Sequence, residues 1–270
     1  MQNSARCIAL LTGASVSTLG LAVPVFAATT TSPGISHIVG PGPSVTDTLT
    51  ICDLGDTCFF GVEATNSPAA TAIVNSVPTG RIEQIVFGGS VTATMSNLGN
   101  AEMAAHATAT AAAGNATAVA QINTGILQVA AGTDGGFAHF TNSGTLLIDA
   151  IAEASAAAGD AVANATIDFG FQQQAFGINS ATAVYTNTGA VTLSASAHAL
   201  AAGLAQANAS VADAQYQIIS AAGPATATFN NGGTMVINAL ASATGSAASA
   251  HALPNIGWSR TSLCLEMPAQ

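Results

Sequence analysis

Four of the five histidines and a scatter of carboxylates are the side chains here that could move protons. His106, His139, His198 and His251 lie at +9, −3, +11 and +20 from the Asn of a recurring Asn-x-Gly tripeptide. In a repeating chain, a ligand set or catalytic ladder needs a shared offset. These four share none, so they read as structural or solvent-facing. Asp168 and Asp213 do share one, each 26 residues past its Asn, with Asn123 at that place in the first copy. Glu153 and His198 likewise share an offset of 11. Polysaccharide-cleaving enzymes are the reaction class such acids would suit, but they need a cluster of carboxylates or a base with bound metal. Three or more carboxylates in one groove would overturn a non-catalytic reading. A repeated polar turn position is the simpler account of Asp168 and Asp213. No Ser/His/Asp arrangement or phosphate loop stands out, and Gly132-Thr133-Asp134-Gly135-Gly136 is a lone Gly-rich loop rather than a calcium-binding nonapeptide array. No catalytic, cofactor-binding or metal-binding residue is therefore expected.

Cys52 and Cys58 flank the turn-prone Asp53-Leu54-Gly55-Asp56-Thr57. In an exported chain they are expected to form a disulfide, since a metal site would need two further ligands nearby and none is evident. Cys264 is left over.

The elements that must position these groups are set by a repeat. Asn97-Leu98-Gly99, Asn142-Ser143-Gly144, Asn187-Thr188-Gly189 and Asn231-Gly232-Gly233 follow one another at 45, 45 and 44 residues. A fixed period of this size implies a stacked, quasi-one-dimensional fold. Asn97, Asn142, Asn187 and Asn231 are candidates for an internal ladder, with Gly99, Gly144, Gly189 and Gly233 supplying turn conformations other residues resist. After each turn comes a run with Ala at alternate positions, such as Ala150, Ala152, Ala154, Ala156 and Ala158. Alanine favours helices, but a soluble helix needs larger apolar residues at i, i+3, i+4 and i+7. A period of two is a strand signature, with Ala on one face and the variable residues on the other. The expected fold is all-β, a β-solenoid of four ~45-residue Asn-x-Gly repeats. Leu146, Ile148, Val191, Leu193, Met235 and Ile237 would fill its wider part. Forty-five residues is long for one coil, so two coils per repeat are expected, putting equivalent residues ~9.6 Å apart.

The chain divides accordingly. Residues 1–27 carry Arg6, an uncharged apolar stretch and Val25-Phe26-Ala27, as an export signal does. Residues 28–45 are rich in Thr, Ser, Pro and Gly and read as a flexible entry segment. Residues 46–90 hold the cysteine pair and read as an N-terminal cap, because an open stack of strands must protect its first edge. The repeats fill 91–252. Residues 253–270 break the pattern and read as an irregular tail, one expectation being that this end belongs to a shortened or shifted reading frame.

Composition narrows the partners. There is no lysine, the arginines are Arg6, Arg81 and Arg260, and the formal charge is −10. Nucleic acid and anionic membranes both need clustered basic side chains and are not expected partners. Thr92/Thr94, Thr108/Thr110 and Thr226/Thr228 would suit an ice or crystalline surface, but they do not recur at one offset.

An export signal, an Asn-Gly punctuated β-repeat and this Ala/Thr/Gly richness together resemble passenger segments of bacterial autotransporters and related β-helical adhesins, over residues 91–252. The resemblance implies a surface-displayed or released structural protein of a Gram-negative bacterium, without catalysis or cofactor, contacting a cell-surface glycan or protein. Such proteins carry a C-terminal outer-membrane barrel, which this sequence does not reach, so direct membrane insertion of the mature chain is not implied.

Overall fold

The computed structural model describes residues 28–32, 34–66, 69–74 and 81–264, with side chains over 34–65 and 81–254. The export-signal reading of 1–27 lies outside them. Among the described residues every regular element is a strand: β1 (Ala28–Ser32), β2 (Ile35–Val39), β3 (Ser44–Thr50), β4 (Thr57–Asn66), β5 (Ala69–Val74), β6 (Ile82–Asn97), β7 (Asn100–Ala111) and β8 (Ala116–Asn142). These are followed by β9 (Thr145–Ala156), β10 (Ala161–Phe176), β11 (Ser180–Asn187), β12 (Ala190–Ala201), β13 (Leu204–Ala221), β14 (Ala225–Asn231), β15 (Thr234–Thr244) and β16 (Ala247–Cys264).

The strands form two sheets. One runs β1-β4-β7-β9-β12-β15, and the other has β14-β11-β8-β10-β13-β16 as its main path, with β6 against β8. All pairings are parallel except β1 with β4. Register follows the sequence period. Asn97 pairs with Asn142, Asn142 with Asn187, and Asn187 with Asn231. Residues 44 or 45 apart are thus direct hydrogen-bonded neighbours. The expectation of two coils per repeat is corrected: one strand spacing separates equivalent residues, not ~9.6 Å. The length is absorbed by three strand segments in each block, for example Ala116–Ala131, Gly135–Asn142 and then β9. Two other differences are local. Strands β1 and β2 and the start of β3 lie in the segment read as a flexible entry, and β16 carries regular structure to Cys264 through the segment read as an irregular tail. In both places neighbouring strands supply the ladder that local composition does not advertise.

The period-two pattern sorts side chains as alternation requires. Ala116, Ala118 and Ala120, then Ala161, Ala163 and Ala165, are fully buried, as are Ala150 and Ala152. Bulk is concentrated elsewhere: Leu146, Ile148, Val191 and Leu193 are fully buried, while Met235 and Ile237 on the last rung are half-buried. Beside them Phe140, Tyr185 and Phe229 stack face to face, with centroids 5.3 and 5.0 Å apart and interplanar angles of 16° and 13°. Phe171 meets both Phe140 and Tyr185 edge-on. Cys52 and Cys58 are joined in a disulfide, Cα atoms 5.9 Å apart, beside the first parallel rung.

The Tyr185 hydroxyl is buried with no hydrogen-bond partner among the described residues, and burial pushes its pKa well up. Its stacking neighbours are both Phe. Tyr185→Phe removes an unsatisfied polar atom at almost constant shape. It is expected to raise stability by about 1 kcal/mol, read as a higher urea midpoint at unchanged slope.

Candidate functional face

Two columns of amides run through the interior. Asn97 Nδ2 donates to Asn142 Oδ1 at 2.8 Å, Asn142 to Asn187 at 2.8 Å, and Asn187 to Asn231 at 2.7 Å. Asn97, Asn142 and Asn187 have no exposed surface. Each of these amides also donates to a carbonyl of the following block: Thr145, Ala190 and Thr234. The second column was not foreseen. Gln217 donates to Gln173, Gln173 to Gln128 and Gln128 to Gln84, each at 2.9 Å, and Gln84 donates to the Asp47 carboxylate at 2.7 Å. Each of the four also bonds a carbonyl 10 or 11 residues further along its own block: Thr94, His139, Val184 or Thr228. This ties two strand segments together across a corner. The sequence did carry the signal, since these glutamines stand 13 or 14 residues before Asn97, Asn142, Asn187 and Asn231. The columns run in opposite senses: asparagines donate towards the C-terminal end and glutamines towards the N-terminal end.

Apart from the exposed Asn231, the asparagine column is buried, and so is the glutamine column. The chemistry open to a partner lies on the outer face of the β4-β7-β9-β12 sheet. His106 on β7 has Asp149 Oδ2 3.2 Å from Nε2 and Glu63 Oε1 3.8 Å from Nδ1. Register explains the grouping: Glu63 pairs directly with His106, while Asp149 pairs with Ala104, midway between Glu102 and His106 on the same face. Asp149 is 8% exposed. The hydrogen bond to Asp149 raises the His106 pKa; burial opposes this, and the charges of Asp149, Glu63 and Glu102 add to it. Burial also raises the Glu102 carboxyl; His106 counteracts it, and Asp149 and Glu63 reinforce it.

Chemically this is a charge-pairing cluster. Both ring nitrogens of His106 have a carboxylate within 4 Å, Asp149 at hydrogen-bond distance, and a raised pKa favours the imidazolium over the free base. The three carboxylates lie along strands of an open sheet. A shallow groove on that face is lined by Thr108, Thr110, Glu153, Ser155, His198 and Leu200 and holds a single carboxylate. Among the described residues no group of three or more His, Cys, Asp or Glu converges on a metal position.

Of the sequence-derived pairs, Glu153 and His198 are cross-strand neighbours, with Thr108 next in the row. Asp168 and Asp213 are not. β10 and β13 pair at an offset of 44, so Asp213 lies opposite Phe169, while Asp168 accepts a hydrogen bond from Gln121 at 3.2 Å. A single residue of register separates equal spacing along the chain from alignment in the sheet. The threonine rows are interrupted: Thr92 lies beside Phe137 and Thr94 beside His139.

The His106 cluster carries a pH signature. A histidine pKa raised on folding gives stability that is complete below the unfolded value of about 6.5 and lost as pH rises through the folded value. A raised carboxyl acts in the same direction at lower pH: Glu102 contributes below its unfolded value and loses that contribution as pH climbs through the folded one. The Tm difference between wild type and His106→Gln is therefore expected to be largest below about pH 6 and to shrink above it, measured by thermal melts across pH.

No family model, curated protein or solved structure matches the chain.

Proposed function

We propose that this chain is an exported β-solenoid of four ~45-residue Asn-x-Gly units whose role is structural or adhesive, presenting long, weakly charged sheet faces to a cell-surface glycan or protein, as a passenger segment of an autotransporter-like adhesin does. The observation that carries the reading is the in-register pairing of Asn97, Asn142, Asn187 and Asn231 through their side-chain amides. A chain whose buried asparagines stay in register while its other steps vary by a residue or two has a scaffold that repeats and outer faces that vary, which is what surface display requires. The disulfide at one end suits an oxidising compartment. The outer-face chemistry supports binding over turnover, because His106 is occupied by carboxylates on both sides.

The test is binding of the purified full chain to a glycan array and to intact epithelial and bacterial cells, alongside reducing-end release from a panel of polysaccharides. Saturable binding that falls when Glu153→Ala and His198→Ala are introduced together supports the reading. Release of sugar ends by the wild-type chain, absent from that double variant, would replace it with polysaccharide hydrolysis.

A further inference from the structure

The asparagine column has a first rung that is not an asparagine. Cys52 stands 45 residues before Asn97, the spacing that separates Asn97 from Asn142. Its carbonyl accepts from the Leu98 and Gly99 amides, as the Asn97 carbonyl accepts from those of Ser143 and Gly144. Its sulfur lies 3.4 Å from the Asn100 carbonyl oxygen, 48 residues on; Asn97 and Asn142 reach carbonyls 48 residues on with their side-chain amides. Cys52 Sγ therefore stands where the other rungs place Nδ2. As half of the disulfide it carries no hydrogen and donates nothing. Each later Oδ1 in the column accepts from the rung before it, whereas Asn97 Oδ1 is buried with no hydrogen-bond partner among the described residues. Such an orphan acceptor destabilises the fold and marks a place where a donor is missing. The two sulfurs also differ in access. Cys52 is 2% exposed, while Cys58 is half-buried and closes a loop whose residues 53–57 are all exposed.

We propose that the Cys52–Cys58 disulfide is a redox-operated clip on this first rung: a small thiol opens it at Cys58, and the freed Cys52 thiol donates to Asn97 Oδ1 and completes the column. In the first step the external thiolate attacks Cys58 Sγ, the S–S bond breaks, and Cys52 leaves as a thiolate that takes a proton from water. A second thiolate then attacks the external sulfur of the mixed disulfide. Cys58 leaves, is protonated in turn, and the two small molecules end joined as their own disulfide. The pair of small thiols supplies the two electrons and, through water, the two protons that the protein gains. Access selects Cys58 as the sulfur attacked, since Cys52 is covered. Reduction thus exchanges a covalent link for a buried hydrogen bond. It frees the exposed 53–57 loop while the rung beneath stays filled. Because S–H is a weak donor, the reduced cap is less stable than the oxidised one but keeps its fold.

The inference rests on the amide column and is independent of any adhesive role. Glutathione and the purified full chain test it. Peptide mass spectrometry is expected to find the trapped glutathione on Cys58. After full reduction, iodoacetamide is expected to label Cys52 at least about tenfold more slowly than Cys58, with the β-sheet circular dichroism kept. Two disulfide-free variants then ask whether position 52 is a rung. Cys52→Asn with Cys58→Ser supplies an amide donor there, and Cys52→Ala with Cys58→Ser supplies none. The first is expected to have the higher urea midpoint, and the difference is expected to shrink when Asn97→Ala is added to both. The labelling measurements use the wild-type chain and stand even where a variant does not fold. Glutathione on Cys52, equal labelling of the two cysteines, equal midpoints, or a midpoint difference that Asn97→Ala leaves unchanged would each overturn the proposal.

Discussion

Asn142→Ala is expected to cost about 3–5 kcal/mol, among the largest losses available to a single truncation in this chain. The side chain accepts from Asn97 and donates to Asn187 Oδ1 and to the carbonyls of Gly144 and Ala190. Removing it deprives the buried Asn187 Oδ1 of its amide donor at a site with no exposed surface. That orphan acceptor costs about 1–3 kcal/mol, and the lost bonds and residual cavity add to it. Asn97 is less affected, because its amide still reaches Gly99 and Thr145. Two controls separate ladder chemistry from the loss of any asparagine. Asn208→Ala breaks an amide pair of the same 2.8 Å length on the exposed surface, and is expected to change stability by less than about 0.5 kcal/mol. Asn231→Ala, at the exposed end of the buried column, falls between the two because Asn187 Nδ2 keeps the Thr234 carbonyl. The order Asn142, Asn231, Asn208 in urea midpoints is the result to look for. Equal losses at Asn142 and Asn208 would mean that burial, not the bond, has been misjudged.

How far this architecture can be read without coordinates depends on which residues repeat visibly. The Asn-x-Gly period and the alternating alanines fix strand identity and inward face, because both are one-dimensional patterns that a parallel register preserves. The number of strand spacings per repeat is not such a pattern. It depends on where the chain turns corners, and those corners are held by glutamines that bond carbonyls 10 or 11 residues away, a relation that no hydrophobic period displays. The His106 cluster was hidden for a related reason. Glu102 lies on the same strand as His106, but Glu63 and Asp149 come from the blocks on either side, and only the lateral register brings them beside the imidazole. Comparing offsets within repeats finds residues that share one position, such as Glu153 and His198, but misses a cluster whose members stand at different offsets. Asp168 and Asp213, equally spaced from their asparagines, are not sheet neighbours, because β10 and β13 pair at 44 residues rather than 45.

The Asn-x-Gly glycines provide the second large effect, and for a reason other than turn conformation. Gly99, Gly144, Gly189 and Gly233 are not among the glycines with positive φ; Gly114 is, at φ 84°. A Cβ on Gly144 would instead sit far inside van der Waals contact of the Gly99 carbonyl oxygen, and 2.8 and 2.9 Å from the Leu98 and Gly99 carbonyl carbons. Gly189 meets Gly144 in the same way, and Gly233 meets Gly189. None of these atoms is the free end of a flexible side chain. They are backbone held by the Thr145 N to Gly99 O and Ala190 N to Gly144 O hydrogen bonds, both 2.9 Å. To admit one methyl, two adjacent blocks must separate beside the buried amide of Asn142. Gly144→Ala is therefore expected to cost about 3–5 kcal/mol. At Gly114 a Cβ would meet nothing within 4 Å, so Gly114→Ala carries only the positive-φ penalty of about 1–2 kcal/mol. Gly144→Ala must open the gap to the Gly99 block and Gly189→Ala the separate gap to the Gly144 block, so the double substitution is expected to cost about the sum of the singles. Urea titration of the two single variants and the double variant measures all three quantities. A Gly144→Ala loss no greater than that of Gly114→Ala would show that the blocks are not held at this close approach, and with it the account of why glycine recurs two residues after each buried asparagine would fail.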